Sequence, residues 1–175
     1  MKLPCRFVGF ALRLGFKPCL LCAVQRVRAF IWYWLPVIVW MSLIFAGSGD
    51  SSSFHRSSRI IGPIVHWLFP EMAEDSVNHI VTGVRKCAHV CEYAFFAWLF
   101  WRAWRKPVRH DSRPWRWREA GIALLAAALY AATDEFHQSF IPSREGCVRD
   151  VLIDTFGAAV GLLLLWLLGR RRKRW

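Results

Sequence analysis

Four stretches of this chain are mainly apolar, and segments rich in charge separate them. Ala29 to Gly47 runs nineteen residues without a charged side chain, close to the ~20 that cross the hydrocarbon core of a bilayer. Lys86 to Trp104 divides in two: its second half is apolar (Ala94, Phe95, Phe96, Ala97, Trp98, Leu99, Phe100, Trp101), whereas its first half carries Lys86, His89 and Glu92. Ala120 to Thr133 is only fourteen residues, but Trp115 and Trp117 before it and Phe136 to Phe140 after it extend the helix to full length. Val151 to Gly169 is nineteen residues with one charge, Asp154, and runs straight into Arg170, Arg171, Arg172, Lys173 and Arg174. The pattern predicts an all-α fold: a bundle of four transmembrane helices. Between the first two spans, Gly47 to Ser58 is turn-rich and polar and reads as a plain loop. Ile60 to Phe69, interrupted by Gly62 and Pro63, is too short to span and reads as a re-entrant or interfacial segment, so the loop is expected to carry short interfacial helices.

Charge decides how such a bundle sits. The 175 residues are 55% hydrophobic with a formal net charge of +12, and mean hydropathy is +0.27. Basic residues number 24, of which 18 fall before span one, between spans two and three, or after span four; only Asp111 and Glu119 of the 12 acidic residues join them. By the positive-inside rule both termini are then cytoplasmic and the other loops lie outside. The expected location is a cell (plasma or inner) membrane. Topology thus accounts for the positive charge, and no nucleic-acid partner is expected. Residues 1–28 form a basic N-terminal segment, 29–169 the four-helix membrane domain and 170–175 a basic cytoplasmic tail. The first segment lacks the uninterrupted apolar core of a signal peptide, because Arg13 and Lys17 break it. Lys2, Arg6, Arg13 and Lys17 fall on one helical face, which suits either a helix on the inner leaflet or a plain basic tail. Cys19 and Cys22 form a CxxC with no second pair to support a zinc site. A Cys87–Cys147 disulfide is compatible with an oxidising exterior, and the sequence leaves it open.

An ionisable side chain inside a span costs roughly 2.5–3.5 kcal/mol on insertion scales, so it normally faces a partner or water. Here such residues recur in register. Lys86, His89 and Tyr93 form a stripe on span two with Glu92 at its edge; Asp134 and Gln138 are one turn apart on span three beside Glu135 and His137; Asp150 and Asp154 share a stripe with Gly157 and Gly161 on span four. All three stripes lie at the outer ends of their helices, and the glycine pair allows close approach of a neighbouring helix.

RKCAHVCEYAFFAWL (Arg85 to Leu99) and TDEFHQSFIPSREGCVRDVLIDTFGAAVG (Thr133 to Gly161) resemble the two signature blocks of the VanZ-like family, K-x-x-H-x-x-E-Y, then D-E-x-x-Q-x-F-x-P-x-R and D-V-x-x-D-x-x-G-x-x-x-G. WMSLIFAGS (Trp40 to Ser48) resembles the end of that family's first helix. The resemblance implies a four-helix envelope protein, in a family named for a member associated with resistance to the glycopeptide teicoplanin.

Three readings of the polar residues follow. In the first, an outer-leaflet pocket binds or acts on a phosphate-bearing or lipid-linked envelope component. Lys86 and Arg144 grip phosphate, His89 is general acid or base with Glu92 beside it, and Asp134, Glu135, Asp150 and Asp154 orient the cations or supply a second catalytic carboxylate. Tyr93 and Gln138 line the binding side. In the second, His89 and Glu92, Asp134 and His137, with Asp150 and Asp154, hold a divalent ion for a metal-dependent hydrolase or transferase; Lys86 and Arg144 oppose it, and neither metal nor cofactor is assigned. In the third, the charges are a structural ion-pair network in a non-enzymatic membrane factor. The expected partner is a membrane lipid or lipid-linked precursor.

Overall fold

The computed structural model describes residues 20–48, 53–107, 111, 113–140 and 146–172. Within them are five helices and no strand: α1 (Leu20–Ser48), α2 (Ser53–Leu68), α3 (Glu74–Arg105), α4 (Trp117–Gln138) and α5 (Val148–Arg171). The apolar runs are therefore helical, as their lengths require. Two helices, α1 over Ala23–Ser48 and α5 over Val148–Arg171, are long and apolar enough to cross a membrane by length and composition. The all-α expectation holds among the described residues, but two helices rather than the expected four are apolar enough to span, because α3 and α4 carry polar turns that dilute their apolar runs.

Two segments differ from the sequence reading. Ser53 to Ser58 belongs to α2 rather than to a loop. Polarity concealed it: Val65 and Ile61 pack on Val77 and Val81 of α3, whereas Ile60, Ile64, Trp67 and Leu68 form a second apolar face that is exposed. The helix α3 also starts at Glu74, a full twelve residues before the expected span, with Glu74 and Asp75 in its first turn and Arg102 and Arg105 in its last, charges that complement the helix dipole at both ends. The basic segment from Leu20 to Arg28 is continuous with α1; residues 1–19, which hold Cys19, lie outside the described residues.

Interhelix bonds show that successive long helices alternate in direction. Tyr33 midway along α1 donates to Pro107 O, 2.7 Å, beyond the end of α3, and Trp40, two turns on, donates to Glu92 O further back along α3. Ser48 at the end of α1 meets Asp134 near the end of α4, and Lys86 in α3 meets Asp150 at the start of α5. So α1 and α4 run one way, α3 and α5 the other. The most extensive packing joins α3 to α5, then α4 to both. It is close because it is built from small residues: a Cβ on Gly157 would lie 2.6 Å from Val90 O, and one on Gly161 2.8 Å from the Ala94 Cα. On α4, Ala120, Ala123, Ala127 and Ala131 make a buried stripe of the same kind. The outside is apolar instead: Ile31, Leu35 and Ile38 on α1, Leu125 and Leu129 on α4, and Leu152, Phe156 and Leu164 on α5 are exposed, a continuous greasy surface that a water-soluble monomer does not carry.

Candidate functional site

The polar stripes of α3, α4 and α5 converge at one end of the bundle. Their side chains are graded by depth. At the rim, Lys86 Nζ lies 3.3 Å from Asp150 Oδ1, with side chains 42% and 40% exposed, and His89 Nδ1 lies 3.4 Å from Glu92 Oε2, one helical turn on. Beneath them Asp134, Glu135, Gln138 and Asp154 are buried, and Tyr93 is fully enclosed. Helical spacing explains the convergence, since Lys86, His89 and Tyr93 recur at three and four residues along one face and Asp150 and Asp154 one turn apart along the facing helix. The glycines at 157 and 161 set the separation, bringing α5 onto the Val90 and Ala94 backbone just below the charges.

Each floor residue has a distinct set of neighbours. Asp134 Oδ2 accepts from Ser48 Oγ at 2.7 Å and from Gln138 Nε2 at 3.1 Å, so it ties the last turn of α1 to α4. Glu135 Oε2 accepts from the backbone N–H of Cys147 at 3.0 Å, the residue just before α5, and thereby anchors the start of that helix. Gly146 lies against the Glu135 carbonyl in the same approach, where an added Cβ would fall 2.5 Å from its oxygen. Asp154 is 3% exposed and forms no hydrogen bond or ion pair among the described residues. The Tyr93 hydroxyl, buried, likewise has no partner among them. Its ring is packed against Phe96 and Tyr130, and the hydroxyl feels the charges of Asp134, Asp154 and Glu135. The structure therefore brings together Lys86, His89, Glu92, Tyr93, Asp134, Glu135, Gln138, Asp150 and Asp154. Arg144 lies outside the described residues.

His137 does not join them. Its ring stacks on Phe45 of α1 at 4.3 Å between centroids, so the pairing of His137 with Asp134 expected for a metal is not formed. Among the described residues no three His, Cys, Asp or Glu side chains are grouped to hold a metal ion. Cys87, Cys91 and Cys147 are free thiols, all exposed.

A family model, VanZ/LLP1, matches residues 32–169. The chain belongs to the VanZ/LLP1 family. The VanZ/LLP1 match begins within α1, shortly before its buried part, and ends where the basic tail begins, so it takes in α2, α3 and α4 whole, most of α1 and α5, and every residue of the cluster. No curated protein and no solved structure matches the chain. Membership and the two apolar helices together point to a membrane protein.

Sequence reasoning missed three contributors to this VanZ/LLP1 site. Ser48 is buried and bonded to Asp134; a serine closing an apolar run was its only signal. Trp40 Nε1 donates to Glu92 O at 3.0 Å, and the Tyr130 hydroxyl to Met41 O at 2.6 Å, stitching α1 to the cluster from both sides. Neither bond has a signature, because the acceptors are backbone carbonyls.

The opposite end of the bundle holds the other surprise. Arg105, the last residue of α3, has a side chain only 1% exposed. It donates to Glu119 Oε2 at 3.0 Å, to Asp111 Oδ2 at 3.4 Å, to Pro114 O at 3.1 Å and to Arg113 O, and lies over the Trp101 ring. Arg113 in turn grips Asp111 through Nε and Nη2 at 2.8 and 2.7 Å. Those hydrogen bonds, reinforced by the two guanidinium charges, hold the Asp111 carboxyl well below the usual carboxylate range and raise Arg113 above its ordinary value. Lys106 makes the fold-back possible by taking the left-handed conformation at φ 48°.

Proposed function

We propose that this is a four-span envelope protein with both termini in the cytoplasm, and that its polar cluster, at the outer face of the membrane, binds or acts on a phosphate-bearing or lipid-linked component. The observation that carries the reading is the graded cluster itself. A Lys86–Asp150 pair, half-exposed, caps a buried floor of carboxylates at one end of helices whose outsides are apolar. A purely structural network would bury and pair all its members; here the pair at the mouth is free to exchange Asp150 for a ligand anion, and the buried Tyr93 hydroxyl of the floor has no partner among the described residues. Burying ionisable groups is expensive, and a ligand is what repays it.

In this reading Lys86 and Arg144 hold the anion, His89 and Glu92 share a proton at its edge, and Asp134, Glu135 and Gln138 fix the helix ends. Ser139 donates to Phe136 O at 2.7 Å and is thus engaged, which favours binding or acid–base chemistry over a covalent serine mechanism. A role in glycopeptide resistance belongs to the same proposal, through the envelope component held.

Native mass spectrometry of the detergent-purified protein tests it: the wild type should retain a phosphate-bearing lipid and Lys86→Ala should lose it. Retention of the same lipid by both would sink the reading. Orientation is tested in a background without other cysteines. Ala73→Cys, in the α2–α3 turn, should react in intact cells with a membrane-impermeant thiol reagent, and Arg116→Cys, before α4, should not.

A further inference from the structure

We propose that the floor of the cluster is a subsite for a primary ammonium group, so that the ligand carries an ammonium one short spacer away from its phosphate, as an aminoethyl phosphate headgroup does. The inference rests on the phosphate reading above and deepens it.

The cluster is mismatched to a phosphate alone. Its described residues supply five carboxylates, Glu92, Asp134, Glu135, Asp150 and Asp154, and the groups among those residues seen to pair with them that carry or can take positive charge are Lys86 and His89. Lys86 is matched by Asp150 and His89 by Glu92; Glu135 has the Cys147 N–H and Asp134 has Ser48 and Gln138. What is left is Asp154, 3% exposed, and within its electrostatic reach the buried Tyr93 hydroxyl with no partner among the described residues. One needs a donor and a positive charge, and the other accepts or donates. A primary ammonium brings three N–H donors and a unit charge, enough to bond an Asp154 oxygen and the Tyr93 oxygen together. The aromatic wall of Tyr93, Phe96 and Tyr130 adds a surface that favours a cation. Lys86, paired to Asp150 one helical turn (~6 Å) above Asp154 on α5, stands where the phosphate of the same headgroup would lie. A quaternary ammonium lacks the N–H donors, and a polyol headgroup lacks the charge.

The test offers the purified full chain, in lipid-free detergent, phosphatidylethanolamine, phosphatidylcholine or phosphatidylglycerol at equal concentration, with bound lipid read by native mass spectrometry. Phosphatidylethanolamine should be retained about tenfold or more over the other two, the worth of a charge-assisted hydrogen bond. Asp154→Asn should remove that preference by lowering phosphatidylethanolamine retention toward that of phosphatidylglycerol; Tyr93→Phe, which keeps the ring, should reduce it, and serves if Asp154→Asn does not fold. Lys86→Ala should weaken all three lipids. Equal retention of the three by the wild type, or a preference intact in both floor variants, would overturn the ammonium subsite while the Lys86 effect still upheld the phosphate reading. No lipid retained at all would overturn both. Soluble phosphoethanolamine is the last arm. If it displaces the lipid, recognition lies in the headgroup chemistry, and if it does not, the tails and hence a membrane source are required; the subsite stands in either case.

Discussion

The two ends of the bundle both bury charge, yet they settle it in opposite ways. At the Arg105 end, one guanidinium meets two carboxylates and two backbone carbonyls, with an aromatic face beneath it. At the Asp154 end, among the described residues, carboxylates outnumber cations, the ion pairs at the rim are half-exposed, and a carboxylate and a phenol in the floor find no partner. A buried ion pair is stable only when the remaining donors and acceptors are also satisfied. The first end meets that condition and the second does not, a contrast that matches a scaffold at the first end and the binding site proposed above at the second.

Breaking the satisfied end should have the largest effect. Arg105→Met strands Glu119, leaves Asp111 to Arg113 alone, and is expected to cost ~3–5 kcal/mol, as removing one member of a buried pair does. Thermal unfolding in detergent measures it, and a melting temperature close to wild type would erase the contrast between the ends. Acid should loosen the same clamp. Because the Asp111 carboxyl is depressed in the folded state, its contribution is fully present above the unfolded carboxylate value of about 3.9 and is lost as pH falls through the lower folded value. Asp111→Asn should therefore flatten the stability profile only below about pH 4; a difference in slope between pH 5 and 8 would contradict the assignment.

Legibility in the sequence divided along the same line. The cluster could be anticipated because its residues repeat at helical spacing within apolar runs, where a charge is conspicuous: Lys86, His89 and Tyr93, or Asp150 and Asp154, announce a shared face. The clamp could not. Arg105 looks like one of many basic residues in a loop-facing turn, and half of what it binds is the main chain of Arg113 and Pro114, which leaves no mark on residue type. The same reasoning covers the helices. The long apolar runs of α1 and α5 were plain, whereas α2 and the first turns of α3 were hidden by serines, charges and a proline that a helix resting on a partner tolerates. Pro63 sits inside α2, and neighbours, not local propensity, decide the matter.

The intermediate effect belongs to the glycines between the two ends. Gly157→Val puts a side chain where even a Cβ meets the Val90 backbone at 2.6 Å, and should cost ~1–3 kcal/mol or more by overpacking while prising Asp150 from Lys86. Gly121→Ala is the control, since nothing lies within 4 Å of its added Cβ, and should be neutral or stabilising by up to ~1 kcal/mol through helix propensity. Matching losses at the two positions would show that helix propensity, not contact, governs both. A smaller loss, ~1 kcal/mol, is expected for Ser48→Ala, which removes one hydrogen bond to Asp134. The smallest sharpens the comparison most: Asp154→Asn should melt within ~0.5 kcal/mol of wild type, or above it, because an empty, strained site gains from losing a charge. A loss comparable to that of Arg105→Met would make the Asp154 end scaffold too.

The position of the Arg105 clamp also bears on how such a chain enters a bilayer. Only α1 and α5 are apolar enough to partition by themselves; α3 and α4, with their ionisable turns, are the pair that insertion energetics disfavour one at a time. Arg105 ends α3, Glu119 begins α4, and the eleven residues from Lys106 to Arg116 between them are fastened to both by the same guanidinium. The clamp thus closes a hairpin from the two long helices that carry ionisable turns, tying the end of one to the start of the other.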